Sequence, residues 1–187
     1  MRLVFLDIDG VLNREFPRGR PTRKDVERLD SQAVNNLMDV VDDVRGLTGD
    51  DVAIVLSSSW RNAGDLEHLR KLFQRTPFAV YLIDKTPALN YIYRPAEILV
   101  WLYHNVEKYN VENFVILDDY PEGLDLFGDR FVRINPNSLL TSQDARRAVE
   151  VLTENDGPIR VENLDKYPLD LSGYQLYAPE YNDCTLL

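Results

Sequence analysis

The sequence predicts an α/β domain built on a five-stranded, mainly parallel sheet between layers of helix. Three observations carry this expectation. Apolar runs of strand length recur near residues 3–6, 51–56, 78–83, 113–120 and 131–134, and they suit strands buried on both faces. Segments with apolar residues at helical spacing separate them, which is the pattern of parallel strand–helix–strand units. Two of the runs end in carboxylates, Asp7 and Asp9 after the first and Asp118 and Asp119 after the fourth.

The first run reads R-L-V-F-L-D-I-D-G-V-L-N over residues 2–13. Its apolar residues describe the centre of a sheet, and the spacing of Asp7 and Asp9 at i and i+2 sends both side chains off one face. Gly10 permits the tight turn that must follow. Carboxylates at the end of a buried strand are costly unless paired, hydrogen-bonded or bound to a cation, so a functional site is expected here. A calcium loop of the EF-hand kind is excluded, because Asn13 and Arg14 follow where further oxygen ligands would stand.

Residues 14–28 hold Arg14, Arg18, Arg20, Arg23, Lys24 and Arg28, broken by Pro17 and Pro21. Proline at that density predicts a loop or flap, the one basic segment of an acidic chain. Placed over the carboxylates it would draw in an anion. Asp30 or Ser31 then caps a helix whose inner face is Val34, Leu37, Met38, Val41 and Val44, ended by Gly46 and Gly49. The second strand, 51–56, runs into Ser57, Ser58, Ser59, Trp60 and Arg61. A crossover of this kind brings both strand ends to one edge of the sheet, where open α/β proteins bind ligands, and a serine hydroxyl there can donate to a phosphoryl oxygen.

Helical spacing returns over 62–74 with Leu66, Leu69, Leu72 and Phe73, a third strand follows at 78–83, and Thr86-Pro87 breaks the chain. A helix over 94–109 presents Ile98, Trp101, Leu102 and Val106 to the core. Arg94 at its start opposes the macrodipole, and an anionic partner would account for it. The fourth strand delivers Asp118 and Asp119 to the edge that already holds Asp7 and Asp9, and four carboxylates in one place call for a cation, most simply Mg²⁺. A fifth strand at 131–134 precedes a last helix, where Thr141 and Asp144 resemble a capping box and Ala145, Ala148, Val149 and Leu152 face inward.

A chain of 187 residues fits one domain with a small appendage. Its formal net charge of −10, from 31 acidic and 21 basic residues, argues against a general duplex nucleic-acid binder, so a phosphate-bearing substrate must be met locally. The single cysteine, Cys184, can form no internal disulfide. With no apolar h-region and no run of about 18 apolar residues, the expectation is a soluble, cytoplasmic protein without a membrane partner. Nothing in the sequence selects an oligomeric state.

Strand-D-x-D-G, strand-Ser, a basic residue before a helix and strand-D-D, in that order, resemble the haloacid dehalogenase (HAD) superfamily of phosphohydrolases across residues 1–153. More narrowly, L-D-I-D-G-V-L-N, V-L-S-S-S-W-R, the stretch with Thr86, Pro87, Arg94, Glu97, Ile98, Trp101 and Leu102, I-L-D-D and L-T-S-Q-D-A look like the branch found in RNA-repair and phage-type phosphatases. The resemblance implies a three-layer, Rossmann-like core with a minimal cap, since the interval from Arg61 to Tyr91 is too short for a large one. It implies Asp7 as nucleophile, Asp9 as general acid/base, Ser57 as the phosphate-binding hydroxyl and Arg94 as the basic residue. Asp118 and Asp119, together with Asp7 and Asp9, would hold Mg²⁺. Ser58, Arg61, Arg18 and Arg20 are expected to contact substrate. The implied reaction is hydrolysis of a phosphate monoester on a nucleotide or polynucleotide end. The alternatives are a small sugar or metabolite phosphate, or a non-catalytic phosphate-binding module of the same fold.

Residues 154–187 match no part of this scheme. Pro158, Pro168 and Pro179 interrupt them, and Tyr167, Tyr174, Tyr177 and Tyr181 make them too aromatic for full disorder. Packing on the domain, covering the cleft and self-association all remain open for this extension.

Overall fold

The computed structural model describes residues 1–14, 17, 19–89, 93–154, 157–167 and 169. Five strands, β1 (Arg2–Leu6), β2 (Val52–Leu56), β3 (Leu82–Lys85), β4 (Asn113–Asp118) and β5 (Phe131–Arg133), form one sheet in the order β3-β2-β1-β4-β5. Every pairing is parallel, so the mainly parallel sheet expected from the sequence is wholly so. The helices are α1 (Arg23–Val26), α2 (Ser31–Thr48), α3 (Leu66–Phe73), α4 (Arg94–Asn105) and α5 (Ser142–Thr153).

Strand alternation divides the core into two layers. Val4, Leu6, Ile54, Leu56, Val115 and Leu117 point to one face, where they meet α2, α3 and α5. Leu3, Phe5, Ala53, Val55, Phe114 and Ile116 point to the other, against Ile98, Trp101 and Leu102 of α4. Phe5 anchors that second layer, edge-on to Trp101 at 5.5 Å and to Phe114 at 5.7 Å between ring centroids. Such edge-to-face pairs suit the ring quadrupoles.

Several boundaries differ from the sequence expectation for local reasons. Of the two glycines expected to end α2, Gly46 lies inside the helix, which continues to Thr48, and Gly49 ends it, turned left-handed (φ 75°) with its N–H donating to the Arg45 carbonyl. A glycine in mid-helix is only weakly unfavourable, whereas one at this capping position is favoured. The helix expected over 62–74 is split: a 3₁₀ turn covers Ser59–Ala63, and α3 starts afresh after Asp65, whose side chain accepts from the His68 N–H at 2.7 Å. The third strand is not at 78–83. Pro77 opens a 3₁₀ turn, Pro77–Tyr81, which buries Phe78 against Phe73 (5.3 Å) and leaves Val80 exposed, and the strand begins at Leu82. The helix at Arg94 ends at Asn105, not 109. The capping box at Thr141 and Asp144 is formed as expected.

Arg2 and Asn113 lie at the starts of neighbouring strands, opposite each other in register. Their side chains donate to carbonyls at the end of α5, Arg2 to Leu152 and Glu154 and Asn113 to Val151 (2.7 Å) and Glu154. Carbonyls without intrahelical partners are thereby satisfied, and this edge of the sheet is closed. Residues 157–167, part of the C-terminal extension, pack on the α4 layer: Ile159 N–H donates to the Val111 carbonyl at 2.8 Å, and Leu164 and Tyr167 are buried there. Tyr174, Tyr177, Tyr181 and Cys184 lie outside the described residues.

Candidate active site

The register of the three central strands builds the site. Leu6 is level with Leu56 on one side and Leu117 on the other. The next residue along each strand is therefore Asp7, Ser57 and Asp118. The ladder holds them level, with Asp7 N–H donating to the Leu117 carbonyl (2.9 Å) and Ser57 N–H to the Leu6 carbonyl (2.8 Å). All three follow the alternation of Phe5, Val55 and Ile116, so they leave the sheet on the α4 face. Arg94, the first residue of α4, stands there.

Nη1 of Arg94 is 3.8 Å from Asp7 Oδ1 and 3.4 Å from Ser57 Oγ, and its Nε is 3.8 Å from Asp118 Oδ2. Asp7 (6% exposed) and Asp118 (2%) are nearly out of water. Asp7, Asp118 and Asp119 each offer a carboxylate oxygen, and these oxygens all lie within 4.8 Å of one another. Asp119 approaches so closely because residue 10 is glycine. At φ +78° a Cβ on Gly10 would stand 2.4 Å from the Asp119 carboxyl carbon, a distance no side chain tolerates. The glycine thus makes room for the acid as well as for the turn.

Electrostatics follow from this crowding. Burial raises the Asp7 carboxyl to about 8, the negative charge of Asp118 adds to it, and Arg94, Ser58 and a backbone hydrogen bond from Ile8 oppose it. Asp118 rises to about 6, again chiefly through burial, against the pull of Arg94 and the Tyr120 N–H, which donates to Asp118 Oδ1 at 2.9 Å. Asp119 is also raised, first by burial and then by the nearby charge of Asp9. One guanidinium does not neutralise three carboxylates. Hard oxygen donors so close together fit a hard divalent cation, which would lower the repulsion that holds these groups up.

Over residues 3–145 the chain matches the family model described as the HAD domain in Swiss Army Knife RNA repair proteins. The chain belongs to this family. Membership places it in the RNA-repair branch of the HAD superfamily and supports a phosphohydrolase of that type in general. No curated protein and no solved structure matches it. Among the described residues, no helix is long and apolar enough to cross a membrane.

Not every expected residue joins the HAD cluster. Asp9 is absent from the group of three acids. Its Oδ1 accepts from the indole Nε1 of Trp60 at 2.9 Å, and its Oδ2 faces Ser59 Oγ at 3.4 Å. Arg61, expected to touch substrate, is instead 3% exposed, donating through Nη1 to the Ser58 carbonyl (2.9 Å) and through Nη2 to Glu97 (2.5 Å). Lys85 adds hydrogen bonds to the carbonyls of Arg61 (3.0 Å) and Gly64 (2.6 Å), so the turn after β2 is held from two sides. Ser58 is fully buried, beside Asp7. In the basic segment Arg14, Arg20, Arg23 and Lys24 are exposed, and α1 packs against α3; Arg18 lies outside the described residues. Sequence reasoning missed Trp60 and Glu97 as parts of the site. The adjacent V-L-S-S-S-W-R and R-x-x-E stretches contain them, but no spacing rule assigns a contact to an indole N–H or a buried glutamate.

Proposed function

We propose that this HAD-domain chain is a Mg²⁺-dependent phosphomonoester hydrolase that works through an aspartyl-phosphate on Asp7, acting on a nucleotide or a polynucleotide end. The supporting observation is the level placement of Asp7, Ser57 and Asp118 at one sheet edge under Arg94. A carboxylate, a hydroxyl and a guanidinium then converge on a space where a phosphoryl group can sit. In the first step an Asp7 oxygen bonds to phosphorus as the bond to the leaving oxygen breaks, and Asp9 gives that oxygen a proton. In the second a water oxygen bonds to phosphorus, its proton passes to Asp9, and the Asp7–phosphorus bond breaks. Ser57 and Arg94 bind the non-bridging oxygens throughout, where charge is distributed in the transition state.

Asp7, Asp118 and Asp119 would hold the metal. When bound, Mg²⁺ supplies positive charge that keeps Asp7 ionised and offsets repulsion between the nucleophile and the substrate. The burial of Asp7, which favours the protonated, non-nucleophilic form near neutral pH, supports that role. Asp9, turned towards Trp60 and Ser59, is left free of the metal for proton transfer.

Residues between Arg61 and Leu89 are taken up by a 3₁₀ turn, α3, a second 3₁₀ turn and β3 of the core, which leaves no cap over the site among the described residues. A basic segment overhanging the site would favour a long phosphorylated substrate, whereas the net charge of −10 favours a small metabolite phosphate. The retained acid/base carboxylate distinguishes both from a binding module, which has no chemical use for it. A panel of nucleotides, oligonucleotide 3′- and 5′-phosphates and sugar phosphates, assayed with Mg²⁺ and after exhaustive chelation, tests the proposal. Metal-dependent phosphate release, highest from nucleotides or oligonucleotide ends, is expected; full activity after chelation, or preference for sugar phosphates, would overturn the corresponding part.

A further inference from the structure

We infer that the buried Arg61–Glu97 pair is a positioning device for the proposed reaction: it sets the turn after β2, which carries Ser57 and Ser58, against the first turn of α4, which carries Arg94. The inference rests on the phosphatase reading. Arg61 donates through Nη1 to the Ser58 carbonyl at 2.9 Å and through Nη2 to Glu97 Oε1 at 2.5 Å, and Glu97 follows Arg94 by one helical turn. At the site itself Ser57 Oγ faces Arg94 Nη1 at 3.4 Å, and the Ser58 side chain hydrogen-bonds to Asp7. A shift of the turn against the helix would therefore part the hydroxyl from the guanidinium and disturb the nucleophile.

The start of α4 is weakly held by the helix itself. Its N-cap, Tyr93, makes no side-chain capping hydrogen bond, and Arg94 places a positive charge where the macrodipole favours a negative one. An anchor outside the helix is needed, and Glu97 supplies one. As a source of stability alone the pair is costly. Both side chains are almost wholly out of water, Arg61 Nε and Glu97 Oε2 have no hydrogen-bond partner among the described residues, and apolar side chains of similar volume often serve such a place equally well or better. What apolar contact does not supply is direction. A planar guanidinium fork with two fixed acceptors, one on each element, sets both the distance and the angle between them. Lys85 holds the same turn from its other end, donating to the carbonyls of Arg61 and Gly64 at 3.0 and 2.6 Å.

The test separates stability from activity and then asks whether the effect passes through Arg94. Arg61→Met/Glu97→Leu replaces the pair by apolar side chains. Its denaturation midpoint should lie near that of wild type, while kcat/KM for p-nitrophenyl phosphate falls about 10–10²-fold, mostly in kcat, the scale expected when reacting groups are misplaced by about 1 Å. A pair that served stability alone would leave activity at the wild-type level once the midpoint is restored. The deciding measurement is the cost of Arg94→Met in each background. It should be about 10²–10³-fold in wild type and less than about tenfold beside the apolar pair, because the guanidinium removed there is already out of place. Wild-type kcat/KM with the apolar pair, or an undiminished cost of Arg94→Met in that background, would overturn the inference and leave the phosphatase reading standing. If the apolar pair does not fold, Arg61→Lys, which keeps the charge opposite Glu97 and loses the fork, takes its place in the same comparison. A lowered kcat/KM with a reduced cost of Arg94→Met is expected, and an undiminished cost overturns the inference. Wild-type protein that releases no phosphate from any member of the substrate panel would instead overturn the phosphatase reading on which the inference rests.

Discussion

Arg94 and Glu97 stand one turn apart on α4 and belong to two ion-pair systems of opposite design. Inside the protein, Glu97 (0% exposed) meets Arg61 (3%) at 2.5 Å, one charge against one. At the sheet edge, Arg94 (20% exposed) keeps 3.8 Å from both Asp7 and Asp118, and Asp119 adds a third carboxylate. In the first system the two charges neutralise each other and tie the turn after β2 to α4, while Arg61 Nε and Glu97 Oε2 are buried without a hydrogen-bond partner. The second is unfinished. Its acids are raised by burial and mutual repulsion, and one guanidinium does not balance them. Tight pairing marks a group that holds the frame, and incomplete pairing in a buried place marks one kept for chemistry.

Exchanging the two arginines' fates should give the largest effects. Arg61→Met leaves Glu97 buried without its partner and should destabilise the fold by about 3–5 kcal/mol in chemical denaturation, with much of the loss recovered when Glu97→Leu is added. Arg94→Met should change stability by less than about 1 kcal/mol, because its ion pairs are long and partly hydrated. It should nevertheless lower kcat/KM about 10²–10³-fold, the usual consequence of removing a group that stabilises transition-state charge. A folding defect in Arg94→Met with unaffected stability in Arg61→Met would break the comparison.

A smaller effect concerns pH. Asp7 and Asp118 have folded-state values raised above the ordinary carboxylate value of 3.8, to about 8 and about 6. The native state therefore holds protons that the unfolded chain has released. Their contribution to stability is complete below the unfolded value and is lost as pH rises through the folded ones. The metal-free protein should lose stability between about pH 4 and pH 8, seen as a falling Tm. Asp7→Asn should flatten most of that slope, and saturating Mg²⁺ should raise Tm more at pH 8 than at pH 5. A metal-free Tm that climbs steadily across this interval would count against the unfinished cluster.

The smallest effect belongs to the basic segment. Changing Arg18, Arg20 and Arg23 together to Gln should raise KM for an oligonucleotide end a few-fold, with kcat little altered and a small aryl phosphate barely affected. The difference should fade at high salt, since at 0.15 M charges are screened beyond about 8 Å. Equal, salt-independent constants on both substrates would leave these residues as solvated surface and favour small metabolites.

Much of the fold was legible because burial on both faces leaves a strong mark. The runs at β1, β2, β4 and β5 were placed within two residues at each end, and the carboxylates at two of their ends foretold the edge where the acids gather. Edge strand β3 was misplaced, because Phe78 is apolar for a 3₁₀ turn's sake and Asp84 and Lys85 interrupt the apolar run of the real strand. At the site, strand ends and a helix start point to Asp7, Asp118, Asp119, Ser57 and Arg94 as candidates, and the structure brings these five residues to one sheet edge. What the sequence did not reveal depends on long-range contacts: Arg61 turns inward to a glutamate 36 residues away, and Asp9 turns to Trp60, 51 residues on. No local period records such pairings.

The most direct test of the phosphatase reading is to trap the enzyme in turnover. Wild-type protein quenched in acid during steady-state hydrolysis of a ³²P-labelled phosphate ester should carry hydroxylamine-labile label, mapping by peptide mass spectrometry to the segment containing Asp7. Asp7→Asn should bind Mg²⁺ more weakly, stay folded and carry no label or turnover. Brisk turnover by wild type with label on another residue, or half the wild-type rate in a folded Asp7→Asn protein, would contradict the assignment of Asp7 as nucleophile.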